Sequence, residues 1–223
     1  MSSSNQKSIT NSIKKPKPLQ VFISGPYSAG KTTIFNVAQF GKDYTPRYTI
    51  GIDMAVIPVN NISIMAFDEG GRCRTRSLLR SFHHRLSGMI LVIDSTDREI
   101  IDQMRDELVR MSNEEELKNK SILIFANKQD LPNAMSPNEI HEKLNLTKLN
   151  GYMKWHLQPA CAIRDEGIHE GLEWLAKSMV ERTDLTEPIK ETMTDLTKWK
   201  NQVMSLWKTM NVKSLWDTFN RFF

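Results

Sequence analysis

The stretch Leu19–Thr32, LQVFISGPYSAGKT, decides how this chain folds. Its opening, LQVFIS, is apolar on consecutive positions and rich in β-favouring residues, which reads as an interior parallel strand. The continuation, GPYSAGKT at 25–32, fits G-x-x-x-x-G-K-[ST] and lies between that strand and a helical pattern. Such a loop wraps phosphates. Its glycines let backbone N–H groups turn inward, the following helix start favours negative charge, and Lys31 adds a cation at the outer phosphates. The candidate phosphate contacts are therefore Gly25, Tyr27, Ser28, Ala29, Gly30, Lys31, Thr32 and Thr33, with the Thr32 hydroxyl offered to Mg²⁺.

Outward from this loop, short apolar runs alternate with helical patterns, the mark of an α/β sheet built from crossover units. MILVIDS at 89–95 and SILIFANK at 121–128 read as further interior parallel strands. IDMAVIPV and ISIMAF are separated only by Asn60 and Asn61, which predicts a tight antiparallel hairpin, and Pro58 places its first strand at a sheet edge. Ile101, Met104, Leu108 and Met111 recur at helical spacing, and EIHEKL and GIHEGLEWLAKSMV supply two more amphipathic stretches.

The strand ends carry the remaining chemistry. Asp68 closes the second hairpin strand, where a carboxylate holds a magnesium shell through water, and Gly71 offers its N–H to the last phosphate. Asn127, Lys128 and Asp130 stand in NKQD at the end of another strand. There Asp130 can accept two hydrogen bonds from the N1 and N2 edge of guanine, a donor pair that adenine lacks.

These residues resemble the Ras-like GTPases and, within them, the Arf and Arf-like family, over about residues 19 to 181. AGKTTI, TIG at 49–51, DSTDRE at 94–99, ELVRM, FANKQDLPNAM at 125–135, ACA at 160–162 and GLEWL at 171–175 carry the likeness. It implies a Ras-like P-loop α/β domain, a six-stranded, mostly parallel sheet flanked by helices, with GTP or GDP and Mg²⁺ as cofactors. It further implies that Thr49 joins Thr32 as a magnesium ligand, that Cys161 and Ala162 belong to the guanine-binding loop, and that Lys128 lies along the guanine plane. In Arf relatives the hairpin between the switches slides by two residues during exchange, and an aromatic cluster spanning it forms the effector surface. The matching positions here are Ile52, Phe67 and Phe82, which either form such a surface or merely cover the sheet.

Two positions depart from the family. Arg72 in FDEGGRCRTRSLLR stands where the family places a glutamine that orients the attacking water. Arginine has donors only and a fixed charge, so it cannot copy the paired role of an amide. It could instead contact the γ-phosphate as a cis arginine finger. Tyr27 stands where Arf proteins typically keep an aspartate, and a phenol there crowds the space beside that phosphate. Both changes point to weak or lost hydrolysis with binding retained. Arg72, Arg74, Arg76 and Arg80 also make the segment basic, either as a solvated loop or as a dock for an acidic partner.

Composition bounds the rest. The chain has 223 residues, 39% of them hydrophobic, with 30 Lys and Arg against 26 Asp and Glu. This suits one domain with an appendage and a mild preference for anionic surfaces, without the bias of a dedicated nucleic-acid binder. Residues 1–18 form a basic, Ser- and Asn-rich leader with no acid before Asp43. It has no signal-peptide core, and its composition leaves a mitochondrial address as the alternative to a cytoplasmic one. Cys73 and Cys161 match no zinc spacing and read as reduced thiols.

The GTP-binding domain is placed at 19–182 and an extension at 183–223. In that extension Ile189, Met193, Leu196, Trp199, Val203, Leu206, Trp207 and Met210 follow helical spacing. It predicts amphipathic helices, and from Pro188 onward six basic residues face three acidic ones. Packing on a protein partner or on the home domain, and peripheral contact with an anionic membrane, both satisfy that pattern. Two functions remain open. One is a GTP-dependent switch that recruits effectors. The other is a structural subunit holding guanine nucleotide as a stabilising cofactor.

Overall fold

The computed structural model describes residues 18–41, 52–69 and 86–183. In chain order these build β1 (Leu19–Ser24), α1 (Lys31–Phe40), β2 (Ile52–Val59), β3 (Ile62–Glu69), β4 (Gly88–Asp94), α2 (Ile100–Ser112), β5 (Ser121–Asn127), α3 (Pro137–Leu144), β6 (Lys154–Pro159) and α4 (Ile168–Thr183), with short 3-10 turns between. The six strands form one sheet in the order β2-β3-β1-β4-β5-β6. Only the β2–β3 pair is antiparallel, so the expected mostly parallel sheet flanked by helices is present.

The runs read as interior strands are interior. β5 is buried at every position and sits between β4 and β6, and β1 lies between β3 and β4. The hairpin turns at Asn60 and Asn61, and Asn60 adopts a left-handed φ of 52°, a conformation asparagine tolerates well. Pro58 is on β2, an edge strand, where a missing N–H is tolerated. α3 starts where Ser136 accepts a hydrogen bond from the Glu139 N–H at 3.2 Å, with Pro137 in its first turn.

Each sheet face has its own core. Ile34, Phe35 and Val37 of α1 and Leu172, Leu175 and Met179 of α4 pack on one face with Ile57, Ile64 and Phe125. Met104 and Leu108 of α2 and Ile140 and Leu144 of α3 pack on the other with Leu91, Ile93 and Ile124. Burying such side chains contributes about 1.5–3 kcal/mol each relative to exposure, which is what fixes the helices to the sheet. A polar tie adds to this: the Ser121 and Ser178 hydroxyls meet at 2.7 Å in the interior, joining the start of β5 to α4.

The residues of β6 carry no strand pattern. KWHLQP mixes cationic, aromatic and amide side chains, and every position from Lys154 to Gln158 is only half-buried, so neither an apolar run nor a clean alternation marks it. It is a strand because β5 offers a free parallel edge. No described helix is long and apolar enough to cross a membrane. The basic leader up to Lys17 and the extension beyond Thr183 lie outside the described residues.

Candidate functional site

The carboxyl ends of β1, β3, β4 and β5 point to one edge of the sheet, and the loops that leave them meet there. After Ser24 the chain enters the phosphate loop through Gly25, whose φ of 144° suits glycine alone. A Cβ at Gly25 would lie 2.2 Å from the Val92 carbonyl oxygen, and one at Gly30 would lie 2.3 Å from the Asn127 side-chain nitrogen. Both glycines of the motif are therefore required by contact as well as by conformation. Gly30 occupies the N-cap of α1 in the left-handed region, and no side chain caps the helix. The first-turn N–H groups and the positive end of the helix dipole are thus arranged for an anion.

Lys31 is buried, and its Nζ donates to the carbonyls of Gly25 at 2.9 Å and Pro26 at 2.7 Å, so the ammonium lies folded across the loop it belongs to. Thr32 donates its hydroxyl to Asp68 Oδ2 at 2.7 Å, and Asp68 is fully buried at the end of β3. A hydroxyl beside a buried carboxylate, next to an uncapped helix start, fits a hard divalent cation held together with phosphate oxygens. Among the described residues no group of three or more His, Cys, Asp and Glu side chains is placed to hold a metal unaided. Tyr27 projects from the loop with 54% of its surface exposed.

The base loops are built with similar economy. Asn127, 2% exposed, donates to the Ala29 carbonyl at 2.8 Å and accepts from the Ala162 N–H at 3.1 Å. Its side chain braces the phosphate loop against the loop after β6, so within the candidate guanine set it acts as the tie between neighbours. Asp130 accepts from the Cys161 thiol at 3.2 Å, which steadies the carboxylate meant for the base edge. Burial pushes the Cys161 thiol up, and the bond to Asp130 pushes it further, so it stays protonated and able to donate. Gln129 ties the same turn to Ser95 Oγ at 2.8 Å and to the Met135 carbonyl at 3.1 Å.

Lys128 takes a left-handed φ of 65° and donates to Asp94 Oδ2 at 2.5 Å. Sequence reasoning gave Asp94 no role. The signal was its register, since Asp94 closes β4 directly beside Asn127 of β5. Ile163, next to Ala162, is also new to the site: at 71% exposed it is an apolar side chain left open beside the base loop.

The structure thus brings Gly25, Tyr27, Ser28, Ala29, Gly30, Lys31, Thr32 and Thr33 into one loop and helix start, with Asp68 beneath. It sets Asn127, Lys128, Asp130, Cys161 and Ala162 alongside. Thr49, Gly71, Arg72 and Phe82 lie outside the described residues, as does the side chain of Ile52. Phe67 is half-buried against the core on the α2 and α3 face.

Two comparisons bear on this arrangement. The model of the ADP-ribosylation factor family, Arf, matches residues 6–179, beginning within the basic leader and ending inside α4. A solved structure of the Arl6 (BBS3) small GTPase from Trypanosoma brucei, with the nucleotide analogue GppNp bound, is 27% identical. It superposes with a TM-score of 0.66 over 74% of this chain and 99% of that one.

Proposed function

Since the chain belongs to the ADP-ribosylation factor family, we propose that it is a guanine-nucleotide switch whose own GTP hydrolysis is weak or lost, and which recruits protein partners while GTP remains bound. The observation that carries this reading is the Asn127 brace. It ties the phosphate loop to the loop after β6, which supports retained nucleotide binding, whereas Arg72 stands where the family keeps its water-orienting glutamine.

In this reading Lys31 leaves the Gly25 and Pro26 carbonyls to meet the outer phosphates, which also receive the first-turn N–H groups of α1. Thr32 would hold Mg²⁺ directly and Asp68 through water, with Thr49 as the further ligand that the family pattern implies. The ion supplies charge neutralisation at the outer phosphates. Asp130 accepts from the N1 and N2 edge of the base, the Ala162 loop lines it, and Lys128 lies along its face. The Arg72 side chain has no acceptor with which to orient the attacking water, and Tyr27 would narrow the room beside the γ-phosphate. A partner must then supply or assist hydrolysis. The extension 183–223, tryptophan- and methionine-rich and basic from Pro188 onward, is the recruiting element, joining a protein assembly or a membrane surface from the cytoplasm.

The structural-subunit reading keeps the same site and treats the nucleotide as a stabiliser, contributing about 4 kcal/mol at a thousandfold excess over its Kd. Identifying the nucleotide released on denaturing the native protein separates the two. GTP as the main species supports impaired hydrolysis, exchangeable mixed nucleotide supports a cycle, and no nucleotide overturns both. Single-turnover phosphate release then tests the cause. Arg72→Gln should restore part of the rate, and Tyr27→Asp with Arg72→Gln should restore more. If Arg72→Gln slows release while Arg72→Lys retains it, arginine acts as a finger and the assignment fails.

A further inference from the structure

Asp94 uses both carboxylate oxygens. Oδ1 accepts from the Thr96 N–H at 2.9 Å and from the Thr96 hydroxyl at 2.7 Å, closing a small turn just after β4. Oδ2 faces the other way and accepts from Lys128 Nζ at 2.5 Å. The Asp94 side chain is 15% exposed and that of Lys128 31%, so the pair is sheltered and not a rim contact. The carboxylate is therefore aimed by its own turn before it meets the lysine.

Lys128 is the residue that most needs such help. Its backbone φ of 65° lies in a region that non-glycine residues seldom occupy, and its long side chain loses rotamer freedom when a ligand orders it. An ammonium already tied to Asp94 stretches the four-carbon stem between two fixed points, and that freedom is lost before any base arrives. Preorganisation of this kind shows chiefly in the rate at which a ligand leaves.

We propose that Asp94 is a positioning residue for the nucleobase: by fixing the Lys128 ammonium it holds the lysine stem flat along the base slot and slows nucleotide release. The inference rests on the guanine-nucleotide reading above. Burial pushes the Asp94 carboxyl up, but the bonds from Lys128 and Thr96 outweigh it and hold the group below the ordinary carboxylate range, so the clamp is charged at neutral pH.

The test is the release of a fluorescent GDP analogue from the full-length protein, chased with excess GDP in the presence of Mg²⁺. Asp94→Asn keeps the shape and the acceptor for Thr96 while losing the charge, and Lys128→Met keeps the stem while losing the ammonium. Each should speed release about tenfold, and the double variant should be no faster than the worse single one, because one interaction cannot be removed twice. The preference for GDP over inosine diphosphate should be unchanged in Asp94→Asn, since Asp130 still reads the edge where those bases differ. Release within twofold of the unmodified protein, slower release, or multiplying effects in the double variant each overturn the clamp. A changed GDP to inosine diphosphate ratio overturns it too, by showing that the loop itself has collapsed. Failure of the unmodified protein to bind GDP overturns the functional reading instead.

Discussion

Replacing Asn127 by alanine removes a side chain that spans the phosphate loop and the base loop. Two hydrogen bonds disappear, 2.8 Å to the Ala29 carbonyl and 3.1 Å from the Ala162 N–H, at a residue only 2% exposed. Each backbone group left without a partner in the interior costs roughly 1–3 kcal/mol. Water entering the opened space recovers part of that, so the loss should be about 2–4 kcal/mol, or roughly 10 °C in Tm for a chain of this length. Asn127→Asp keeps an acceptor for Ala162 but sets a second oxygen against the Ala29 carbonyl, and at neutral pH it should lose at least as much. The assay is thermal unfolding across a series of GDP concentrations, extrapolated to zero ligand so that weakened binding does not count as weakened folding. A drop in Tm below about 2 °C for the alanine variant, or a milder aspartate variant, would refute the idea that this amide holds the site together.

Gly30→Ala should abolish nucleotide retention through the native purification, because its Cβ would sit 2.3 Å from the Asn127 side-chain nitrogen at a φ of 96°; recovery of a full complement of nucleotide contradicts that. Ser178→Ala should cost about 1–2 kcal/mol in urea unfolding by stranding the Ser121 hydroxyl, while Ser121→Ala with Ser178→Ala should come back close to the unmodified protein. The Asp94 carboxyl is held below its ordinary value of 3.8, so the folded protein binds fewer protons there than the unfolded chain. Its contribution should be constant from pH 7 to about pH 5 and fade as pH falls below the ordinary value, and the gap in urea midpoint to Asp94→Asn should shrink in step. Removing residues 184–223 should leave GDP binding by calorimetry within about twofold, because every described candidate base- and phosphate-binding residue precedes Thr183. A truncated chain that loses its nucleotide would place the segment inside the domain.

The sequence by itself determined the parts whose chemistry is local. A strand, a glycine-bounded loop and a helix start follow one another in Leu19–Phe40, and the constraint on each is written in adjacent residues: apolar runs, glycines where φ is positive, a lysine and a threonine at the helix start. The hairpin at Asn60 and Asn61 and the edge position of Pro58 were legible for the same reason, since turn chemistry acts over a few residues. Side-chain partners between strands were not. Asn127 reads in sequence as part of a base motif, yet its amide reaches Ala29, 98 residues earlier, because β5 and β1 end at the same edge of the sheet. Asp94 reads as the polar end of an apolar run until the register of β4 on β5 sets it beside Asn127 and within reach of Lys128. β6 has no strand pattern of its own and was made by the edge that β5 left open. Periodicity and motif spacing report how a segment meets water and its own backbone, whereas the partner of a buried polar group depends on which strand ends the packed sheet brings together, and only the tertiary structure decides that.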